Sequence, residues 1–247
     1  MNIIKTIFKT LLLLLTVGYL VFALVKVSRP TQEMVCTGVE YQFADSGQIC
    51  FIDSQMVNAM LAKHNIVPKG RKLADIDLRN IDSILSANPY IDTVRCYHTA
   101  SGKLCIRIKS MHPMFHVFND AGEEYYVDSQ GRRIPAGGLS ADLLVVTGHV
   151  TPEFVCHQLM RLGRILNEDE FWNEQIQQVY VEENGNVELI PSYSDQRILI
   201  GEPKHIEEKL ERVRLFYENA MPKTGWNRYN VIDARYNKQI ICSNEKK

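Results

Sequence analysis

Asn88–Pro135 reads NPYIDTVRCYHTASGKLCIRIKSMHPMFHVFNDAGEEYYVDSQGRRIP, and its punctuation decides the fold. An Asn-Pro break leads into one strand, a Ser-Gly turn into a second, and Pro113 into a third. A fourth, Tyr125–Val127, ends at the Asp-Ser-Gln-Gly turn of Asp128–Gly131. Side chains alternate across a strand, so Val94, Cys96 and His98 share one face while Arg95 and Tyr97 share the other. On the return strand Leu104, Ile106 and Ile108 form the apolar face, with Cys105 and Arg107 opposite. Burying that face puts Cys105 outside, so a Cys96–Cys105 bridge would need its sulfurs to cross the sheet. That disulfide is not expected. Strands strung on tight turns make a scaffold with exposed edges, and nothing in the run looks like a reactive group.

Upstream, a strand is expected over Cys36–Phe43, with a turn at Asp45-Ser46-Gly47. A helix then runs from Ser54, its cap, to Asn65, with Met56, Val57, Met60 and Leu61 at helical spacing. Val67-Pro68-Lys69-Gly70 stops it. A second helix over Asp77–Ala87 buries Leu78, Ile81, Ile84 and Leu85 and ends at Asn88-Pro89. With the hairpin this makes a β-α-α-β-β unit. Downstream, Leu143–Thr147 is a continuous apolar run suited to a strand buried on both faces. Thr151 or Pro152 opens a helix carrying Phe154, Val155, Leu159, Leu162 and Ile165. Ile176–Val181 and Val187–Ile190 flank the hairpin turn Glu183-Asn184-Gly185-Asn186, and Arg197–Ile200 follows as a strand. Pro203–Ala220 is an amphipathic helix with Ile206, Leu210, Val213 and Phe216 inward. Two last strands, Tyr229–Tyr236 and Gln239–Cys242, turn at Asn237-Lys238.

The chain has 247 residues and a net charge of -1, which gives no electrostatic reason to expect nucleic acid. Its six cysteines show no C-x-x-C spacing and no tight Cys/His cluster, which opposes a zinc site and a disulfide-dense scaffold. Near the start, Thr10–Val25 is free of charge and flanked by Lys5, Lys9, Lys26 and Arg29. At ~1.5 Å per residue this run covers roughly 24 Å of a roughly 30 Å hydrocarbon core. Snorkelling by Lys9 and Lys26 brings Ile7, Phe8 and Val27 into the span. A cleaved signal peptide is the rival, but Val21-Phe22-Ala23, its only near cleavage match, lies inside the apolar run. The expectation is an uncleaved anchor in membrane lipid, with a short cytoplasmic tail and an exported body. One short span without an intramembrane Asp, Glu or His also opposes a channel or transporter.

Candidate chemistry is sparse. His112 and His116 are four apart, but on a strand they would stand roughly 13 Å apart, too far to chelate one ion. His149 and His157 straddle a turn and a helix start. Gly137-Gly138-Leu139-Ser140 lacks the second half of a nucleophile elbow and reads as a loop. There is no P-loop or dinucleotide fingerprint. Asp128 and Asp233 sit at strand ends, where turn or interface roles outweigh acid–base catalysis. No enzymatic activity and no cofactor are expected.

The order of these pieces resembles the FtsQ/DivIB family of bacterial cell-division proteins. The resemblance rests on Asn88-Pro89-Tyr90-Ile91, the Leu104–Ile108 strand leading to Pro113, Tyr126-Val127-Asp128 with Gly131, and Ile232-Asp233-Ala234-Arg235-Tyr236. Phe171-Trp172, Gln175-Ile176, Glu188-Leu189-Ile190-Pro191 and Lys209-Leu210 resemble its Bacteroidota-type branch. Two positions depart from the pattern: Ser110 where the family often has an acidic residue, and Ala234 where Leu is usual. The resemblance implies an α+β chain: a cytoplasmic tail over 1–9, a transmembrane signal anchor over 10–27 and a juxtamembrane linker over 28–35. A POTRA domain over 36–111, a mixed or antiparallel β domain with two helices over 112–243 and a polar tail over 244–247 follow. It further implies a single-pass protein of the cell inner membrane, its body periplasmic at the division septum. Its partners there would be FtsB and FtsL, with other division proteins at the POTRA domain, in control of septal peptidoglycan synthesis. Partner docking by strand addition carries over to Asp233, Arg235 and Tyr236, and extends to Gln239, Ile240, Ile241 and Cys242 on the hairpin's second arm. The alternative is a POTRA accessory of outer-membrane protein assembly or secretion, which would usually carry several POTRA repeats or precede a barrel. A membrane-anchored envelope hydrolase is the enzyme-class rival, and no convergent nucleophile, base or metal set supports it.

Overall fold

A computed structural model describes residues 2–28, 34–44, 51–138, 141–226 and 228–244. The turn at Asp45-Ser46-Gly47, Cys50, Leu139-Ser140 and most of the linker lie outside the described residues. Helix α1 covers Asn2–Ser28. Its described side chains are those of Lys9 and Leu11–Ala23, and from Leu11 to Leu15 every leucine is exposed. Among the described residues no helix is long and apolar enough to cross a membrane. The chain divides into two compact units, Met1–Gly47 with Ile52–Ser110 and Gln48–Phe51 with Met111–Lys247.

In the first unit β1 (Val39–Phe43), α2 (Ser54–Lys63), α3 (Leu78–Ser86), β2 (Ile91–His98) and β3 (Leu104–Ser110) follow one another. Asp53, one residue before the expected cap, accepts from the Met56 N–H at 2.7 Å, and Asp77 caps α3 the same way at 3.0 Å. The sheet order is β1-β3-β2, with β1 parallel and β2 antiparallel to the central β3. Val57, Leu61, Ile81 and Leu85 from the helices pack with Leu104, Ile106 and Ile108 from β3. The register sets Cys96 opposite Ile106 and Tyr97 opposite Cys105, so the two thiols face opposite sides and both are free. Cys105 is nevertheless buried, against the expectation that it lies outside. It is a small side chain on a central strand with Glu40 and Tyr97 beside it in the register, and its larger neighbours shield it.

In the second unit nine described strands form one sheet in the order β12-β11-β10-β9-β8-β7-β4-β5-β6. They are β4 (Pro113–Asn119), β5 (Glu124–Asp128), β6 (Arg133–Pro135), β7 (Leu144–Gly148), β8 (Ile176–Val181), β9 (Val187–Pro191), β10 (Arg197–Gly201), β11 (Val231–Asp233) and β12 (Ile241–Ser243). The pairs β4/β7, β7/β8 and β10/β11 are parallel. A parallel neighbour cannot be reached by a two-residue turn, and a helical crossover is the usual solution. Between β7 and β8 the crossover is α4 (Pro152–Phe154), a wider turn over Val155–Leu159, α5 (Met160–Glu168) and α6 (Glu170–Gln175). Between β10 and β11 it is α7 (Ile206–Asn219) and the short α8 (Met221–Thr224). The sequence therefore located the two main helices and missed α6, α8 and strand β6.

Leu159, Leu162 and Leu166 from one crossover and Ile206, Leu210, Val213 and Tyr217 from the other share a core with Phe115, Val146, Val179, Leu189, Ile198 and Ile232. Both crossovers thus cover the same sheet face. This corrects one inward assignment. On β7 only Val146 and Gly148 are buried, because the alternate side chains face away from the helices. On α7 and α5 Tyr217 and Leu166 are buried outright, while Phe216 and Ile165 are half-buried and pack against the same core as expected. The helices are tied by ion pairs, Arg161 Nη2 to Glu207 at 2.8 Å and Arg214 to Asp169. At the β5 turn, Asp128 is buried and satisfied. It accepts from the Gln130 and Arg132 N–H groups at 2.9 and 2.8 Å and from Arg132 Nε at 2.7 Å.

Helix and sheet approach closely at Gly163 on α5, where a Cβ would lie 1.7 Å from Phe115 Cζ. Only a glycine lets that ring reach the helix backbone. Gly163→Ala is expected to destabilise the second unit by about 1–3 kcal/mol, measured as a lowered denaturation midpoint. Adding Phe115→Leu should recover part of the loss.

Candidate functional site

The two sheet edges differ in chemistry. At one, β6 carries Pro135, which has no N–H to offer, and Arg133 lies 3.7 Å over the Tyr125 ring. At the other, β12 is Ile241-Cys242-Ser243, with no proline and no charge. It pairs antiparallel with β11, Ile232 opposite Cys242 and Asp233 opposite Ile241. Each of these strands is three residues long, so β11 is far shorter than the expected Tyr229–Tyr236, while β12 is shifted to Ile241–Ser243 from the expected Gln239–Cys242. The hairpin expected over Tyr229–Cys242 therefore becomes a short ladder joined by an ordered connection, 234–240. Lys238 turns that connection with φ of +62°.

The connection is built by side chains from three elements. Ala234 is fully buried and its N–H donates to Leu199 O at 3.0 Å, so a small residue fits where the core closes. Asp233, 7% exposed, receives Arg235: Nη2 donates to Oδ2 at 2.6 Å, and Nε to Oδ1 and Oδ2 at 3.0 and 3.1 Å. The Arg235 N–H adds a fourth bond to Oδ1 at 3.0 Å. Burial alone would raise the Asp233 pKa, but these bonds and the guanidinium charge outweigh it and hold the carboxyl below its ordinary value. Arg235 reaches this position across Gly201, which has φ of +66° and where a Cβ would stand 2.8 Å from Arg235 Cγ.

Helix α7 supplies the rest. Arg212 Nη2 donates to the carbonyls of Ala234 and Tyr236 at 3.1 and 3.3 Å, while its Nη1 donates to Glu208 O at 3.2 Å. One turn earlier, Lys209 Nζ donates to Ile200 O and Glu202 O at 2.8 and 2.7 Å. Burial pushes the Lys209 pKa down. Two cations thus hold the carbonyls that end β10 and begin the connection.

The named residues consequently occupy different settings. Asp233 and Arg235 are locked to each other. Tyr236 is 47% exposed on the connection and Gln239 is exposed beside the turn. Ile240 leans on the core, Ile241 is 43% exposed and Cys242 is half-buried. Gly201, Lys209 and Arg212 were missed. Lys209 stood only in the Lys209-Leu210 resemblance, and for Lys209 with Arg212 the remaining signal was a polar pair at i and i+3 on α7, a pattern any solvated helix face carries.

Elsewhere, His116 Nε2 lies 2.9 Å from Glu124 Oε1 and its ring stacks 4.3 Å from Tyr126. Among the described residues no group of three potential metal ligands occurs.

A β-α-α-β-β module followed by a mixed sheet with a short terminal hairpin at one edge defines a two-module class of α+β protein. Residues 34–109 match the POTRA-like domain, and residues 112–243 match FtsQ/DivIB, C-terminal related. The second match spans more than half of the chain, which belongs to the FtsQ/DivIB family of cell-division proteins. A search of curated proteins finds no match.

Two outcomes follow from this geometry. Arg212→Ala should speed amide hydrogen exchange across 234–240 while leaving β8 and β9 protected. For Asp233 the folded pKa is depressed, so its contribution is present above the unfolded value of about 3.9 and is lost as pH falls through the folded value. Protection of the connection, taken as exchange relative to the intrinsic amide rate at each pH, should therefore be steady from neutral pH to about pH 4 and fall below it. Asp233→Asn should remove that pH dependence.

Proposed function

We propose that the chain is a bitopic scaffold of the division machinery at the inner membrane, and that it holds FtsB and FtsL by adding a partner strand to β12. The observation that carries this reading is the contrast between the edges: β6 is blunted by proline, while β12 ends the sheet with uncharged residues and open backbone groups. Family membership makes divisome proteins the partner class. Three paired residues supply few main-chain bonds, each worth about 1 kcal/mol net. Side-chain anchors must therefore supply much of the affinity. Tyr236 and Ile241 are the exposed apolar groups beside the edge, and tyrosine is a favoured anchor type.

Arg235 plays a different part from the one its exposure suggests. Its guanidinium is committed to Asp233, so it shapes the connection that presents Tyr236. Gln239, Ile240 and Cys242 complete the surface as framing residues.

The unbroken run of exposed leucines in α1 supports membrane anchoring, since a helix apolar on all sides needs an apolar environment. On this reading 1–9 is cytoplasmic, 10–27 lies in lipid, and the POTRA domain over 36–111 and the β domain over 112–243 are periplasmic.

The test is capture of FtsB and FtsL by the full-length chain. Ile241→Pro removes a backbone donor and obstructs an incoming strand, and Tyr236→Ala removes an anchor. Each should weaken capture at least about tenfold, or 1.4 kcal/mol, with an unchanged melting temperature. Arg235→Glu should weaken capture and disorder 234–240 together. Full capture by both the Ile241 and Tyr236 variants would sink the docking assignment.

A further inference from the structure

On the outward face of the POTRA-like sheet, Arg95 of β2 stands directly opposite Arg107 of β3 in the antiparallel register. Side chains so placed have Cβ atoms about 4.5–5.5 Å apart, where like charges repel. Both are exposed. Arg107 donates through Nε at 3.3 Å and Nη2 at 3.0 Å to Oε1 of Gln42 on β1, an acceptor without charge. The Tyr97 hydroxyl donates to the same oxygen at 3.3 Å. Among the described residues neither guanidinium pairs with a carboxylate.

The neighbouring cations are matched. Lys103 lies 3.8 Å from Glu40, and Lys109 lies 3.1 Å from Asp92. Uncompensated positive charge is thus concentrated at the facing pair, beside the 37% exposed ring of Tyr97. Nothing in the packing of this unit requires two arginines there, since the core lies on the other face.

We propose that this face docks an acidic segment of a protein partner, whose carboxylates sit between Arg95 and Arg107. The planar guanidinium fork suits bidentate carboxylate binding. Charge complementarity selects a discrete segment over an anionic lipid surface. Glu40 and Asp92 flank the pair and would be pressed against a uniformly negative headgroup layer, whereas a segment can place its charges between them. The site lies in the first unit, and its assignment is independent of docking at β12.

The full chain in detergent micelles, titrated with a fluorescein-labelled peptide of alternating Glu and Thr, tests this by anisotropy. Saturable binding that weakens with salt is expected. Arg95→Glu and Arg107→Glu should each reduce affinity at least about tenfold, and the exposed Lys69→Glu should not. Arg95→Glu should also raise the melting temperature, because an opposed Glu–Arg pair replaces two like charges. Its loss of binding then cannot be a loss of fold. Equal binding by the Arg95 variant, absence of saturable binding, or binding of phosphatidylglycerol vesicles in place of the peptide would overturn the proposal. An unchanged or lowered melting temperature would remove its premise that the pair is strained.

Discussion

A strand can meet a parallel neighbour only if the chain returns along the sheet, and this constraint organises the larger unit. The parallel pairs β7/β8 and β10/β11 each require a crossover, and both crossovers lie on one face. Their apolar stripes make a single core with the inward residues of the sheet. The opposite face carries Glu188 and Arg197, paired at 3.3 Å, and also the fully buried Tyr126 and Ile134, which stand opposite each other on β5 and β6. The second crossover does more than fill space. Lys209 and Arg212 leave the polar side of α7 and meet backbone carbonyls at the end of β10 and in the hairpin connection. Packing and edge order therefore depend on the same helix.

Much of this was legible from residue order, for identifiable reasons. The POTRA-like unit was readable because each of its elements is bounded by a turn or cap, and because the period-two pattern of Leu104, Ile106 and Ile108 fixes the register. The same parity excluded the Cys96–Cys105 bridge. It could not report that Cys105 is covered, because burial of a small outward side chain depends on the size of its cross-strand neighbours. In the second unit the long amphipathic helices were plain. Strand β6 and helices α6 and α8 are too short to show a period.

The terminal hairpin shows where pattern reading stops. Tyr229–Tyr236 looks like one strand, yet pairing ends at Asp233 because that carboxylate captures Arg235 and bends the chain. Such local side-chain to backbone bonds compete with a ladder, and composition alone does not say which wins. Arg235 therefore changes meaning between sequence and structure, from an apparent surface anchor to a brace. Tyr236, carried outward by that brace, keeps its exposure.

The parallel pairing of β10 with β11 also bears on the order of assembly. Arg197 and Val231 become neighbours only after the intervening helices have folded back, a long-range step that is slow by nature. β12 has no template until β11 is seated, so the outer edge is the last part of this sheet to be completed. A chain stalled before the crossover closes would lack the Ile206, Leu210, Val213 and Tyr217 part of the core and have nothing to present at that edge. On the proposed docking at β12, competence to recruit would coincide with completion of the fold, and an unfinished molecule would be silent rather than partly active.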